Sequence, residues 1–432
     1  MTRTLKVDAL ARVEGEGALK VRIRDGRVTD LEFRIFEPPR FFEAFLEGRD
    51  FTEAPDITAR ICGICPIAYL LGASKAMEDA RGVTLPKALN DLRRVIYCGE
   101  WIESHVLHAA MLHAPDFLGL DDALQIAKAN PELVKKALRL KKLGNSLLDV
   151  IGGRAVHPIG LKVGGFWKVP ASADLVALLP EIAWALDATE EIALAFGGFD
   201  YPELSQETCY VSLGGIDAYP IEDGRVVSDQ GHDCPPADFL DLIEEVHVKR
   251  SNALHARFID GTRYVVGPLA RFNNNRDHLT PRADHLAGRL NLGARVTNPF
   301  KSILVRLVET MVALEEAERL IKDYRKPAEA FVPVVPGPGE GVGITEAPRG
   351  ICFHGYQLDA VGRIVSARII PPTSQNQPQI EWDLARVVEA SLDLDDEALT
   401  WRAEQTIRNY DPCISCATHF LDLDIDRGGV DG

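Results

Sequence analysis

Apolar and polar residues alternate in two short stretches near the start of the chain, Ala18 to Ile23 and Val28 to Ile35, with Asp25-Gly26 between them. A period of two marks a strand with one buried face, and Asp-Gly is a strong tight-turn signal, so this region predicts an antiparallel hairpin. Beyond it the period lengthens. From Pro86 to His113 apolar residues recur at Leu89, Leu92, Ile96, Ile102, Val106 and Ala109, which predicts one long helix with a buried stripe and Pro86 at its first position. The same periodicity predicts helices at about 121–149, 171–196, 236–258 and 300–324, interrupted by Gly/Pro clusters around 152–169 and 333–343. A second hairpin is expected near the end, from strands Gly350 to Leu358 and Arg363 to Ile370 flanking the Val361-Gly362 turn.

With 432 residues, 46% of them hydrophobic, the chain can bury a large core, and it shows no internal repeat, low-complexity tract or clear linker. The expectation is one large, mainly helical α+β unit: a long-helix bundle carrying a β-hairpin at each end. No apolar run approaches the roughly 18 residues of a membrane span, and the N-terminus, MTRTLKVDALARVEGEG, has no secretory signal, so a cytoplasmic location is expected. A net charge of −16, from 64 acidic against 48 basic residues, argues against nucleic acid as a partner.

Eight cysteines are too few for a disulfide scaffold in a chain of this length, so their spacing decides what they do. Two Cys-x-x-Cys pairs stand at opposite ends: Arg60-Ile-Cys62-Gly-Ile-Cys65, and Asp411-Pro-Cys413-Ile-Ser-Cys416-Ala-Thr-His419. Each pair can place two thiolates on one centre, and together they supply four soft ligands for zinc, iron or another thiophilic metal. Pro66 suits the first turn of a helix through Tyr69, Leu70 and Ala73 to Met77. Asp411 and Pro412 read likewise as an N-cap and first helical residue, which predicts a lowered thiol pKa for Cys413. Spacing alone leaves a structural zinc knot and a catalytic metal site equally open. Cys98, Cys209, Cys234 and Cys352 read as small buried hydrophobes.

The two motifs, R-x-C-G-x-C and D-P-C-x-x-C-x-x-H, resemble those of nickel-iron hydrogenase large subunits. So do Arg12-Val-Glu14-Gly-Glu-Gly17, the central Gly152-Gly-Arg-Ala-Val-His157-Pro-Ile-Gly-Leu-Lys-Val-Gly164-Gly165, and Glu346-Ala-Pro-Arg349-Gly350. These motifs fall in the family's order and span almost the whole chain. The resemblance implies a large-subunit fold and the splitting of hydrogen, or reduction of protons, at a nickel ion coupled to an iron that carries carbon monoxide and cyanide. Cys62 and Cys413 would be terminal nickel ligands, with Cys65 and Cys416 bridging nickel and iron. Hydrogen splitting then needs a hydride acceptor, the metal pair, and a nearby base, for which Cys413 and Arg349 are the candidates.

By the same resemblance Glu14 is a proton gate receiving from Cys413, and Asp116 and Arg349 form a charged pair beside the open face of the site, Arg349 also donating to cyanide. Glu43, the backbone carbonyl of about Arg368, and His419 would hold a second ion, magnesium or iron. His157 would shape the site by hydrogen bonding. Two departures stand out: Tyr69 occupies a position where many relatives have His, and Pro372 falls where a hydroxyl residue adjoins cyanide, a place Thr373 can fill.

The Glu37-Pro-Pro-Arg-Phe-Phe-Glu43 segment and the short helical body resemble the soluble NAD(P)-linked type, including sulfhydrogenases, with a possible sulfur-reducing side activity. Residues 1–419 would form the hydrogenase unit, and 420–432 a tail removed by a dedicated protease once nickel-insertion proteins have loaded the metal. No further cysteine cluster remains for an iron–sulfur centre, so electrons require a small iron–sulfur partner subunit. Flavin- and NAD(P)-binding diaphorase subunits follow from the subgroup. The rival readings are a hydrogen-sensing regulatory subunit, which generally lacks such a tail, a quinone-site relative, which lacks the four cysteines, and a non-catalytic zinc-binding subunit.

Overall fold

The computed structural model describes residues 2–418. Three antiparallel strands open the chain: β1 (Thr2–Val7), β2 (Gly17–Arg24) and β3 (Arg27–Ile35), in that spatial order. The β2–β3 hairpin turns at Asp25 and Gly26, both at positive φ, as the alternation predicts. β1 escapes the sequence pattern because only Leu5 of its residues is buried, leaving no alternation to see.

Helices then dominate. The first long ones are α1 (Pro66–Ala80), α2 (Lys87–Val106), α3 (Pro131–Gly152), α4 (Leu179–Gly197) and α5 (Ser302–Asp323). α2 packs against both α3 and α5, and α5 against α4. The α2–α3 crossing is close because Gly99 meets Gly144: a Cβ on Gly144 would stand 2.6 Å from the Gly99 carbonyl oxygen.

Several boundaries differ from the sequence reading. Pro86 is the N-cap of α2 rather than its first residue, and after Val106 the helix widens into a π-type segment, Leu107–His113. The helix expected at 121–149 is two, Ala123–Ala129 and α3. Pro131 drives Asn130 out of helical geometry, to φ −142° and ψ 78°, and the Asn130 side chain caps the new helix at Leu133 N. The one at 171–196 likewise divides into Ser172–Val176 and α4. The helix expected at 236–258 does not form: a 3₁₀ segment, Pro236–Asp241, leads into antiparallel strands Ile243–Val246 and His255–Phe258. Its three-to-four spacing is accidental, since β-branched residues favour strands and the chain turns at Lys249-Arg250, where the Ser251 amide donates to the Val248 carbonyl at 3.0 Å.

The C-terminal sheet holds β4 (Gly339–Ala347), β5 (Gly350–Leu358) and β6 (Ile364–Ile370) in that order, followed by α6 (Pro372–Ala390) and α7 (Asp396–Arg408). The β5–β6 hairpin is the expected one. β4 begins inside the stretch read as a Gly/Pro interruption, and its glycines have a packing reason. A Cβ on Gly341 or Gly343 would lie 2.1 Å from the backbone oxygen of Ala76 or Gly72, so the bare strand lets α1 rest directly on the sheet. That contact fixes α1, and with it the first cysteine pair, against the strand that leads to Arg349.

Candidate metal centre

The first cysteine pair spans the junction between a 3₁₀ turn, Ala59–Ile61, and α1. Cys62 is extended and Cys65 is the N-cap of α1, with Pro66 at the first helical position as expected. The amides of Ile64 and Cys65 both point at the sulfur of Cys62, at 3.3 Å each, so the loop is wound around that atom.

The second pair is held differently from the sequence expectation. Asp411 is not a helix N-cap; it adopts a left-handed conformation at φ 52°, and Cys413 forms an isolated parallel bridge with Glu14. Among the described residues only a short 3₁₀ turn, Ser415–Ala417, follows. Cys413 therefore lacks the helix terminus that was to lower its pKa, and burial instead pushes the free thiol well above its ordinary value. The N-terminal loop reaches this segment because Gly15 and Gly17 are bare: a Cβ on either would fall within 3 Å of the Ile414 side chain. That close approach is the physical content of the Arg12 to Gly17 motif.

The four sulfurs of Cys62, Cys65, Cys413 and Cys416 lie within 4.8 Å of one another and are all buried. Cys62 and Cys413 are 3.5 Å apart and Cys65 and Cys416 3.7 Å. Ligands about 2.3 Å from one metal in a tetrahedral arrangement would stand about 3.8 Å apart, close to both of these spacings, while Cys413 and Cys416, 2.6 Å apart, must spread for all four to bind one thiophilic ion.

Polar groups crowd the cluster from several elements. Glu14 Oε2 accepts from the Cys413 thiol at 3.1 Å and from the Ser415 amide at 3.0 Å. Arg349, held by the β4–β5 turn, donates from Nε to the Asp411 carbonyl at 2.7 Å and from Nη2 to the Asp411 carboxylate at 3.1 Å. Burial works against its charge, but Asp411 and the nearby cysteine sulfurs raise its pKa well above the ordinary value, so the guanidinium stays charged. Its Nη1 is buried with no partner, an orphaned donor beside thiolates that suits an anionic or lone-pair ligand such as cyanide. Thr373, in the first turn of α6 after Pro372, accepts the Cys413 amide at 3.0 Å, which leaves its hydroxyl proton to donate elsewhere.

Asp116 does not pair with Arg349. Its carboxylate is buried and taken by Arg12 at 2.6 Å and by Arg408 at 2.7 and 2.8 Å. Asp411, which sequence reasoning used only as a cap, is the partner of Arg349; its place in the D-P-C motif was the available signal. His157, at φ 49°, contacts the Ala59 carbonyl at 2.7 Å and so braces the turn before Cys62. The hydroxyl of Tyr69 is buried without a partner, its ring edge-on to His354 at 5.7 Å.

Glu43 accepts the amide of Ile369 at 2.7 Å, beside the Arg368 backbone. The Arg368 side chain turns to Glu245 at 2.6 Å. His419 lies outside the described residues.

The fold and site define a buried set of four thiols that could hold a thiophilic metal, with an acid and a fixed cation against it. The family model described as nickel-dependent hydrogenase matches residues 40–154 and 253–419. Sulfhydrogenase 1 subunit alpha of Pyrococcus furiosus is 34% identical, covering 97% of this chain and 98% of its own. The NAD-reducing hydrogenase HoxS subunit beta of Cupriavidus necator is 27% identical, covering 98% and 96%. A crystal structure of an NAD+-reducing NiFe-hydrogenase in the H2-reduced state superposes with a TM-score of 0.87 at 29% identity, covering 96% of this chain and 99% of that one. The chain belongs to the nickel-dependent hydrogenase family and is the catalytic large subunit of a nickel-iron hydrogenase. Among the described residues no helix is long and apolar enough to cross a membrane.

Proposed function

We propose that this subunit carries out reversible heterolytic oxidation of hydrogen in an NAD(P)-linked complex, with Cys413 and Glu14 handling the proton. The observation that carries the reading is the 3.1 Å contact between the Cys413 sulfur and Glu14 Oε2. Cys62 and Cys413 would hold nickel terminally, while Cys65 and Cys416 would also reach an iron. Arg349 Nη1, with Thr373 and the Pro372 turn, would hold the cyanide and carbon monoxide ligands of that iron. When bound, the metal pair polarises hydrogen and accepts its electrons.

The rest is the work of side chains. The Cys413 sulfur takes a proton and yields it to Glu14 Oε2, which the Ser415 amide holds in place. Arg349, kept charged by Asp411, is a fixed electrostatic and hydrogen-bonding partner rather than the base. Asp116 acts through Arg12, steadying the loop that carries Glu14. Glu43, the Arg368 carbonyl and His419 would hold magnesium or iron at the second site, and the support for this is the hydrogen bond of Glu43 to the Ile369 amide.

Electrons would leave past the first cysteine pair, which has an exposed residue within it. Gly63, between two of the ligands, is exposed, and Val156, Ile159 and Trp167 are 55%, 54% and 67% exposed on the Gly152–Trp167 stretch, whose Val156 comes nearest Gly63. That apolar face suits a small iron–sulfur subunit. Flavin- and NAD(P)-binding subunits and a cytoplasmic location follow from the likeness to NAD-reducing relatives, and a sulfur-reducing side activity from the sulfhydrogenase likeness. The tail 420–432, which lies outside the described residues, is removed by a maturation protease after nickel insertion, so residues 1–419 form the working unit.

The test is metal analysis, infrared spectroscopy and hydrogen-dependent NAD+ and NADP+ reduction on the complex matured with its own insertion proteins and purified without oxygen. Nickel, carbon monoxide and cyanide bands, a chain ending at His419 and rapid turnover are expected. Bound nickel with slow turnover would mark a sensor, and zinc alone in the thiolate site would overturn the reading.

A further inference from the structure

The N-terminus of α1 poses a problem that the metal chemistry creates. An N-cap side chain ordinarily accepts from the amides at the second and third helical positions. Here the N-cap is Cys65, whose thiol is committed to the cluster and makes no capping bond. Pro66 has no amide to satisfy, so the open donors are those of Ile67 and Ala68. Both are met from another helix: Glu100, in the middle of α2 and 0% exposed, accepts from Ile67 N at 2.5 Å and from Ala68 N at 3.2 Å.

A carboxyl group at that depth costs free energy unless its oxygens are hydrogen-bonded, and these two amides occupy one oxygen each. Its neighbours reinforce the same turn. Tyr97, one α2 turn earlier, donates to the Thr345 hydroxyl at 2.9 Å, and Thr345 donates to the Ala68 carbonyl at 3.4 Å. Burial pushes Glu100 up from the ordinary carboxylate range, with the two amides pulling the other way.

We propose that Glu100 is a positioning residue for the metal centre: it caps α1 in trans, so that Cys65 can begin a helix and still give its sulfur to the metal. The capping claim stands on geometry, while its consequence at the metals rests on the nickel-iron reading above. α1 is thereby locked to α2, and the Cys62–Cys65 loop takes its orientation from that lock.

The test uses the intact, metal-loaded complex carrying Glu100→Gln, which keeps the side chain's size but offers only one acceptor and turns a donor toward the other amide. Amide exchange at Ile67 and Ala68 should rise about tenfold, and the carbon monoxide band should move from its wild-type frequency. Glu100→Asp, which keeps both carboxyl oxygens but withdraws them by one methylene, should shift both in the same direction by less, and stands in if the Gln variant does not fold. Wild-type exchange in these variants overturns the cap, and faster exchange with an unmoved band overturns the positioning role. Exchange can also be read on the metal-free chain, and the wild-type bands report separately on the nickel-iron reading, so the two fail independently.

Discussion

Glu14 and Cys413 are separated by 399 positions in the chain and by 3.1 Å in space. The contact is part of a parallel bridge in which the Ile414 amide donates to the Glu14 carbonyl at 3.0 Å, so the acid is held by backbone as well as by its side chain. A carboxylate fixed in this way against one thiol of four has a direction built into it, from the cluster toward the half-buried N-terminal loop.

Glu14→Gln tests that direction. The amide still accepts from Ser415 but cannot carry a proton, so hydrogen oxidation should fall by about 100-fold or more while nickel content and infrared bands are kept. Turnover within a factor of three of wild type, with a full complement of nickel, would remove Glu14 from the proton route.

Arg349→Lys separates a point charge from a planar fork. Lysine cannot span Asp411 and also present the donor that Nη1 now offers, so activity should drop about 100-fold and the cyanide bands should shift. Unchanged cyanide frequencies would show that Nη1 faces something else.

The glycines of β4 give a contrast in stability. Gly343→Ala forces a Cβ to 2.1 Å from the Gly72 carbonyl oxygen and should cost about 3 kcal/mol or more, or prevent accumulation of the chain. Gly288→Ala, in the helix Pro281–Arg289 with nothing within 4 Å, should instead gain about 0.5–1 kcal/mol. Thermal unfolding of the two variants side by side decides it, and equal shifts would show that α1 does not rest on β4 as closely as described.

Acid sensitivity has a traceable contributor in His255. Burial lowers its pKa to about 3, and its Nε2 has no hydrogen-bond partner. The unfolded chain takes up this proton near pH 6.5 and the folded one does not, so the residue's contribution is present above that pH and is lost as pH falls toward 3. His255→Gln should therefore gain about 2 kcal/mol relative to wild type between pH 6.5 and pH 5, read from denaturant midpoints at the two pH values. A constant difference across that range would show that His255 is protonated in the folded protein.

The sequence by itself determined the helical body, both expected hairpins, the helix starting at Pro66 and the four cysteines as one candidate cluster. These features are written in local periodicity or in residue type and spacing, which a linear reading can see. It misjudged 236–258 because a three-to-four spacing over short apolar runs does not distinguish a helix from a bent hairpin, and it missed β4 because glycines that permit close packing look the same in a sequence as glycines that break a strand. Only the tertiary structure decided that Arg349 pairs with Asp411 and Asp116 with Arg12 and Arg408, that Cys413 faces a carboxylate rather than a helix terminus, and that Glu100 reaches across to cap α1. Those choices depend on which of many buried charges meet when distant segments pack. The cost of leaving any one of them unpaired is set by the assembled core and not by its neighbours in the chain.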